Sequence, residues 1–182
     1  YEVGGVTGGG YPTPLPAWTG AYDPGTNSWS KRLPLNTGRA GLAAVASGGK
    51  IYAIGGGTGD GYVGATEVYD PSLGTWSLRA SIPTLRQDLT AQAVNGTIYA
   101  IGGTTGRHDN EAYDTEANTW ATKTPMPTGR QAMGSAMVNG LIYVIGGYTP
   151  KGIPLATVEA YDPAYDTWAT KASMPTARGY PG

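Results

Sequence analysis

Residues 89–130 read LTAQAVNGTIYAIGGTTGRHDNEAYDTEANTWATKTPMPTGR, and the fold is decided by this one stretch. An apolar run, Leu89 to Val94, meets Asn95-Gly96 and then a second run, Ile98-Tyr99-Ala100-Ile101, which ends in Gly102-Gly103. Asn-Gly between two such runs marks a two-residue hairpin, because a type I′ turn needs positive φ at both central positions. A third run ends at Tyr113-Asp114 and a fourth surrounds Trp120. Met126-Pro127 then closes the module, where a missing N–H suits a strand end. Four short antiparallel strands are predicted.

Working outward, the same order of residues occurs four times. Tyr-Asp is followed seven residues later by Trp and ten after that by Arg, at Tyr22/Trp29/Arg39, Tyr69/Trp76/Arg86, Tyr113/Trp120/Arg130 and Tyr161/Trp168/Arg178. Successive Trp residues lie 47, 44 and 48 positions apart, so one supersecondary unit is repeated along the chain. Val3-Gly4-Gly5, Ile51 to Gly56 and Ile142 to Gly147 repeat the double-glycine strand, and Gly48-Gly49 and Asn139-Gly140 repeat the hairpin turn. On this frame residues 40–86, 87–130 and 131–178 are full blades. Residues 1–39 form a blade lacking its inner strand, and 179–182 begin a further one.

Composition agrees with many short strands: 30 Gly, 14 Pro and 13 Tyr, with no Phe, supply turn formers and polar-tipped aromatics. Charged residues are 14% of the chain and the net charge is −1, so no basic field attracts nucleic acid or an anionic membrane. The absence of Cys excludes disulfides and thiolate chemistry within these residues. No apolar run reaches the roughly 18 residues of a transmembrane helix.

These modules resemble the kelch repeat, whose blades carry a double glycine, a Tyr and a Trp at these relative places; the wording is similar to kelch repeats of bacterial and archaeal extracellular proteins. The resemblance implies an all-β, kelch-type β-propeller of four-stranded antiparallel blades, the four repeats forming part of a six- or seven-bladed ring. It also implies an extracellular or cell-surface setting.

In such a blade the second-to-third loops and the blade connections share one face, and loops that vary on a constant scaffold are where recognition resides. From the double glycine to the repeat Tyr the spacing runs from 10 to 17 residues. These loops carry Tyr11, Tyr62, His108 and Tyr148 as candidate ligand contacts, with Trp18, Arg107, Asp109 and Lys151 nearby. The alternative for the tyrosines is cover for loop glycines. Arg39, Arg86, Arg130 and Arg178 open each inner strand on that face. In animal kelch proteins that recruit substrates for ubiquitin ligases, arginines at this place contact acidic peptides, and the resemblance extends that role to these four. The alternative is pairing with Glu67, Glu111 or Glu159, each two residues before a repeat Tyr. Tyr22, Tyr69, Tyr113 and Tyr161, with Trp29, Trp76, Trp120 and Trp168, are structural, the Trp wedging between blades and the double glycine admitting the backbone beside it.

The resemblance also brings enzymes into view. A kelch-like copper oxidase uses two His, two Tyr and a Cys crosslink, a set that His108 alone does not provide. No cofactor or metal site is therefore expected, and no catalytic group. The expected function is a non-catalytic scaffold that binds a protein or carbohydrate ligand on its loop face. Two alternatives stand beside it: a sugar-directed epimerase or oxidase with catalytic residues in further blades, and a structural subunit that self-associates through open blade edges.

Overall fold

The computed structural model describes residues 1–5 and 15–180; candidate Tyr11 and the terminal Pro181-Gly182 lie outside the described residues. The chain divides into two compact units, Tyr1–Gln87 and Asp88–Gly182. Among the described residues there are only strands and turns, and no helix is long and apolar enough to cross a membrane.

The first unit contains β1 (Glu2–Val3), β2 (Thr19–Asp23) and β3 (Ser28–Lys31), paired as a three-stranded antiparallel sheet. It continues with β4 (Ala43–Ser47), β5 (Lys50–Ile54), the short hairpin β6 (Gly57–Thr58) and β7 (Gly61–Tyr62), then β8 (Thr66–Asp70) and β9 (Thr75–Arg79). Here β4-β5-β8-β9 form a four-stranded sheet, while β6 and β7 pair only with each other. The second unit holds β10 (Thr90–Val94), β11 (Thr97–Ile101), β12 (Asn110–Asp114) and β13 (Thr119–Thr122) in one sheet. Its other sheet is β14 (Gly134–Val138), β15 (Leu141–Ile145), β16 (Val158–Asp162) and β17 (Thr167–Lys171). Strand order follows chain order in every blade, and all pairs are antiparallel.

The turns explain the repeat. At the first hairpin Asn95 and Gly96 have φ of 50° and 81°, and Asn139 and Gly140 have 51° and 81°, as the type I′ geometry demands. At the second hairpin the Asp after each repeat Tyr caps the turn: Oδ1 of Asp114 accepts from the Glu116 amide at 2.9 Å, and Oδ1 of Asp162 from Ala164 at 2.9 Å. Two residues before each Trp the chain turns left-handed, at Asn27, Gly74, Asn118 and Asp166, the residue types that tolerate positive φ. Where that residue has a side chain, the repeat Tyr uses it. Tyr113 donates its hydroxyl to Asn118 at 2.7 Å, Tyr161 to Asp166 at 2.7 Å and Tyr22 to Asn27 at 2.8 Å.

Register sets the aromatics side by side. Each repeat Tyr faces its Trp across the strand pair, with ring centroids 5.0 Å apart for Tyr113–Trp120 and Tyr161–Trp168. Inside each unit a tyrosine of the preceding blade covers the repeat Tyr: Tyr99 lies 5.4 Å from Tyr161, and Tyr1 lies 5.7 Å from Tyr69. The core of the second unit therefore sits between its two sheets, built from Tyr99, Ile101, Met126, Met133, Ile142, Val144 and Tyr161.

The tryptophans are wedged less deeply than expected. Trp76 and Trp168 are half-buried and Trp29 is 58% exposed. The inter-blade bond is made by the indole edge: Nε1 of Trp168 donates to the Thr124 carbonyl at 2.9 Å, and Nε1 of Trp76 to that of Leu33 at 3.0 Å. A Trp168→Phe variant keeps the ring and loses this bond. It is expected to be about 0.5–1.5 kcal/mol less stable in chemical denaturation, and an unchanged midpoint would show the bond to be idle.

The double glycine also serves a different contact from the one expected. The amide of the second glycine donates to the carbonyl of the following repeat Arg: Gly5 to Arg39 at 3.1 Å, Gly56 to Arg86 at 2.9 Å, Gly103 to Arg130 at 3.0 Å and Gly147 to Arg178 at 2.9 Å. A Cβ on Gly102 would stand 2.7 Å from the Arg130 carbonyl oxygen and 2.6 Å from Met133 Cε. Glycine is needed for this approach to the arginine backbone, and not for packing against Trp.

Candidate functional site

Three of the four repeat arginines are withdrawn from any ligand. Arg39, Arg86 and Arg130 are completely buried. Nη1 of Arg130 pairs with Glu159 and also donates to the Thr128 carbonyl at 2.8 Å, while Nη2 donates to the Val144 carbonyl at 3.0 Å. Thr128 completes the cage by donating its hydroxyl to Glu159 at 2.8 Å. Arg39 repeats the arrangement with Glu67, Thr37 and Ala53, and Asn36 donates two further bonds to Glu67. The Arg39 and Arg130 guanidinium groups each fasten the chain entering a blade to that blade's second and third strands. The expectation that these arginines line a ligand mouth is corrected: all three side chains are buried, and the Nη donors of Arg39 and Arg130 are taken by groups of their own blades. Arg178 is exposed, and the place 29 residues on where Glu159 stands for Arg130 lies outside this sequence, so its exposure marks no difference of role.

In the second unit the loop residues singled out from sequence do come together. The loop after β11 places Gly106 against the Pro150 ring of the loop after β15. Gln131, at the entrance to the last blade, accepts on Oε1 from the Thr105 amide at 3.0 Å. Its backbone pairs with Tyr148 in both directions, at 2.8 and 3.1 Å. Tyr148 packs over Gly179 and meets the Tyr180 ring at 6.0 Å, while the Tyr180 amide donates to the Ala132 carbonyl at 2.8 Å. Tyr148 is thus both half-buried cover for a glycine and a wall of the loop cluster, so the two readings of the loop tyrosines meet in one residue.

His108 is exposed in this cluster, yet its ring is fixed. Nδ1 lies 2.7 Å from the Met126 carbonyl oxygen, which only accepts, so Nδ1 carries the proton. In the neutral ring Nε2 is then a free acceptor, held beside Gly129. Arg107 and Asp109 form a half-exposed pair at 3.4 Å beside it, worth little in energy. The group that orients His108 is a backbone carbonyl 18 residues away, for which a sequence carries no mark. Among the described residues there is no group of three His, Asp or Glu side chains arranged to hold a metal ion.

Tyr62 belongs to the first unit, 44% exposed on β7 opposite Gly57. The hairpin carrying it was not expected from sequence. It exists because Gly57 bridges to Ala40 and the Val63 amide returns to the Gly56 carbonyl at 2.9 Å, closing a tight excursion in that loop.

Comparison with known proteins agrees with this architecture. No curated protein sequence matches the chain. Among solved structures, one described as "Structure of YjhT" superposes with a TM-score of 0.74 at 15% identity, covering 92% of this chain and 68% of that one. At that identity the likeness establishes the fold alone. The family model described as the Kelch motif matches residues 38–83, 85–127 and 129–175, each segment opening one residue before a buried repeat arginine. With three matched copies spanning most of its length, the chain belongs to the kelch-motif family and is built as a kelch-type β-propeller segment.

Proposed function

We propose that this chain is a non-catalytic binding module of an extracellular or cell-surface protein, taking a protein or carbohydrate ligand on its loop-bearing end. The observation that carries the reading is the loop cluster of the second unit. There an oriented, exposed imidazole and the Tyr148 phenol stand on loops tied to one another through Gln131 and Pro150. A rigidly held surface of aromatic and hydrogen-bonding groups suits recognition, because little side-chain freedom is lost on binding.

The test is binding of the chain to an immobilised panel of peptides with paired acidic residues and of neutral oligosaccharides. His108→Ala is expected to weaken the best binder about tenfold, about 1.4 kcal/mol, while losing its bond to the Met126 carbonyl costs about 1 kcal/mol of stability and leaves the chain folded. Binding of nothing on the panel, or undiminished binding by the folded variant, refutes the reading.

A further inference from the structure

The end opposite the loop cluster carries a cavity. In the second unit, the Asn95-Gly96 turn of one blade and the Asn139-Gly140 and Asp162-Ala164 turns of the next enclose a cleft of about 410 Å³. This lies within the roughly 300–1,000 Å³ usual for small-molecule sites. Its apolar wall comes from Val94 and Leu141, and its polar groups from Asn95, Asn139, Asp162 and Tyr99.

Those polar groups are arranged for something other than the fold. The side chains of Asn95 and Asn139 sit on turns that their backbones already satisfy, and among the described residues neither makes a side-chain hydrogen bond. Asp162 uses Oδ1 for the Ala164 amide, which leaves its other oxygen to accept. Tyr99 is 7% exposed, and among the described residues no protein group hydrogen-bonds its hydroxyl. The ring is buried while the residue lines the cleft, so its hydroxyl is left to donate to whatever enters there. Burial raises its pKa above the ordinary value, so it stays a protonated donor at neutral pH.

The chemistry selects the ligand. Two amides each offer a donor and an acceptor, the phenol offers a donor and the carboxylate an acceptor, while no Lys or Arg lines the cleft. Vicinal hydroxyls need such paired donors and acceptors, an apolar wall suits the C–H face of a ring, and the carboxylate repels anions. We propose that this cleft is a binding site for a neutral pyranose sugar, distinct from the loop-end surface.

Backbone and side-chain amide NMR spectra of the whole chain, titrated with neutral methyl hexopyranosides of gluco, galacto and manno configuration, test the proposal. At least one sugar is expected to shift Asn95, Tyr99 and Asn139 in a saturable way. Asn139→Asp keeps a residue that accepts the left-handed turn but replaces the amide donor by a second carboxylate, and is expected to weaken that sugar at least tenfold. Tyr99→Phe keeps the ring packing and is expected to weaken it severalfold. No saturable shift at the cleft, or an unaltered affinity in both variants, overturns the proposal. Shifts confined to the loops around His108 and Tyr148 also overturn it, while leaving the loop-end reading in place.

Discussion

Arg130→Ala is expected to destabilise the protein by about 3–5 kcal/mol, the largest effect of any single side chain here, read as a lower urea midpoint at unchanged slope. The reason is less the lost attraction than what remains. Glu159 is 2% exposed and keeps its bond from Thr128, but its charge would have no buried counter-ion. The carbonyls of Thr128 and Val144 would lose their donors at the same stroke. The double variant Arg130→Met with Glu159→Leu separates the two causes, because it removes both charges and fills the space. It is expected to recover most of the loss. If it is no better than Arg130→Ala, the guanidinium acts mainly by bonding strand carbonyls.

Tyr161→Ala ranks second, at about 3–5 kcal/mol. This ring is completely buried, packs against Tyr99 and Trp168, and donates its hydroxyl to Asp166, which also accepts from the Thr124 amide of the preceding blade. Truncation therefore opens a cavity between two blades and unfastens a turn. Tyr161→Phe keeps the packing and isolates the hydroxyl, at about 1 kcal/mol.

The same pair predicts a pH response with a definite sign. Burial, then the bond to Asp166, pushes the Tyr161 hydroxyl well above its ordinary value. An unfolded tyrosine ionises near pH 10 whereas the folded one does not, so this stability is complete below about pH 10 and is lost as pH rises beyond it. That bond also holds Asp166 below the usual carboxylate range. Its contribution is present above the unfolded carboxylate pKa and is lost as pH falls through the folded one. Phe at position 161 should flatten both limbs of the stability profile; retention of both would assign them elsewhere.

Much of the fold was legible because hairpin chemistry is local. Asn95-Gly96 and Asn139-Gly140 announce positive φ, and the fixed Tyr-to-Trp spacing is the arithmetic of one short turn between paired strands. The arginines were legible only as two alternatives, since a guanidinium that binds a ligand and one that binds its own blade look alike in sequence. Burial decides between them for Arg39, Arg86 and Arg130. A missed signal stood two residues before each Trp, where Asn27, Asn118 and Asp166 combine tolerance of a left-handed turn with an acceptor for the repeat Tyr. The orientation of His108 and the cleft at the hairpin turns had no sequence signal. One rests on a main-chain carbonyl and the other on turns contributed by two modules.

The glycine amide that reaches the next arginine's carbonyl joins one repeat to the following one without any side chain. Such a splice asks for glycine on one side and for no particular side chain on the other. A duplicated copy inherits both halves of the joint, so repeats can be gained, lost or shuffled while their loops and turns diverge, without renegotiating how the blades are linked.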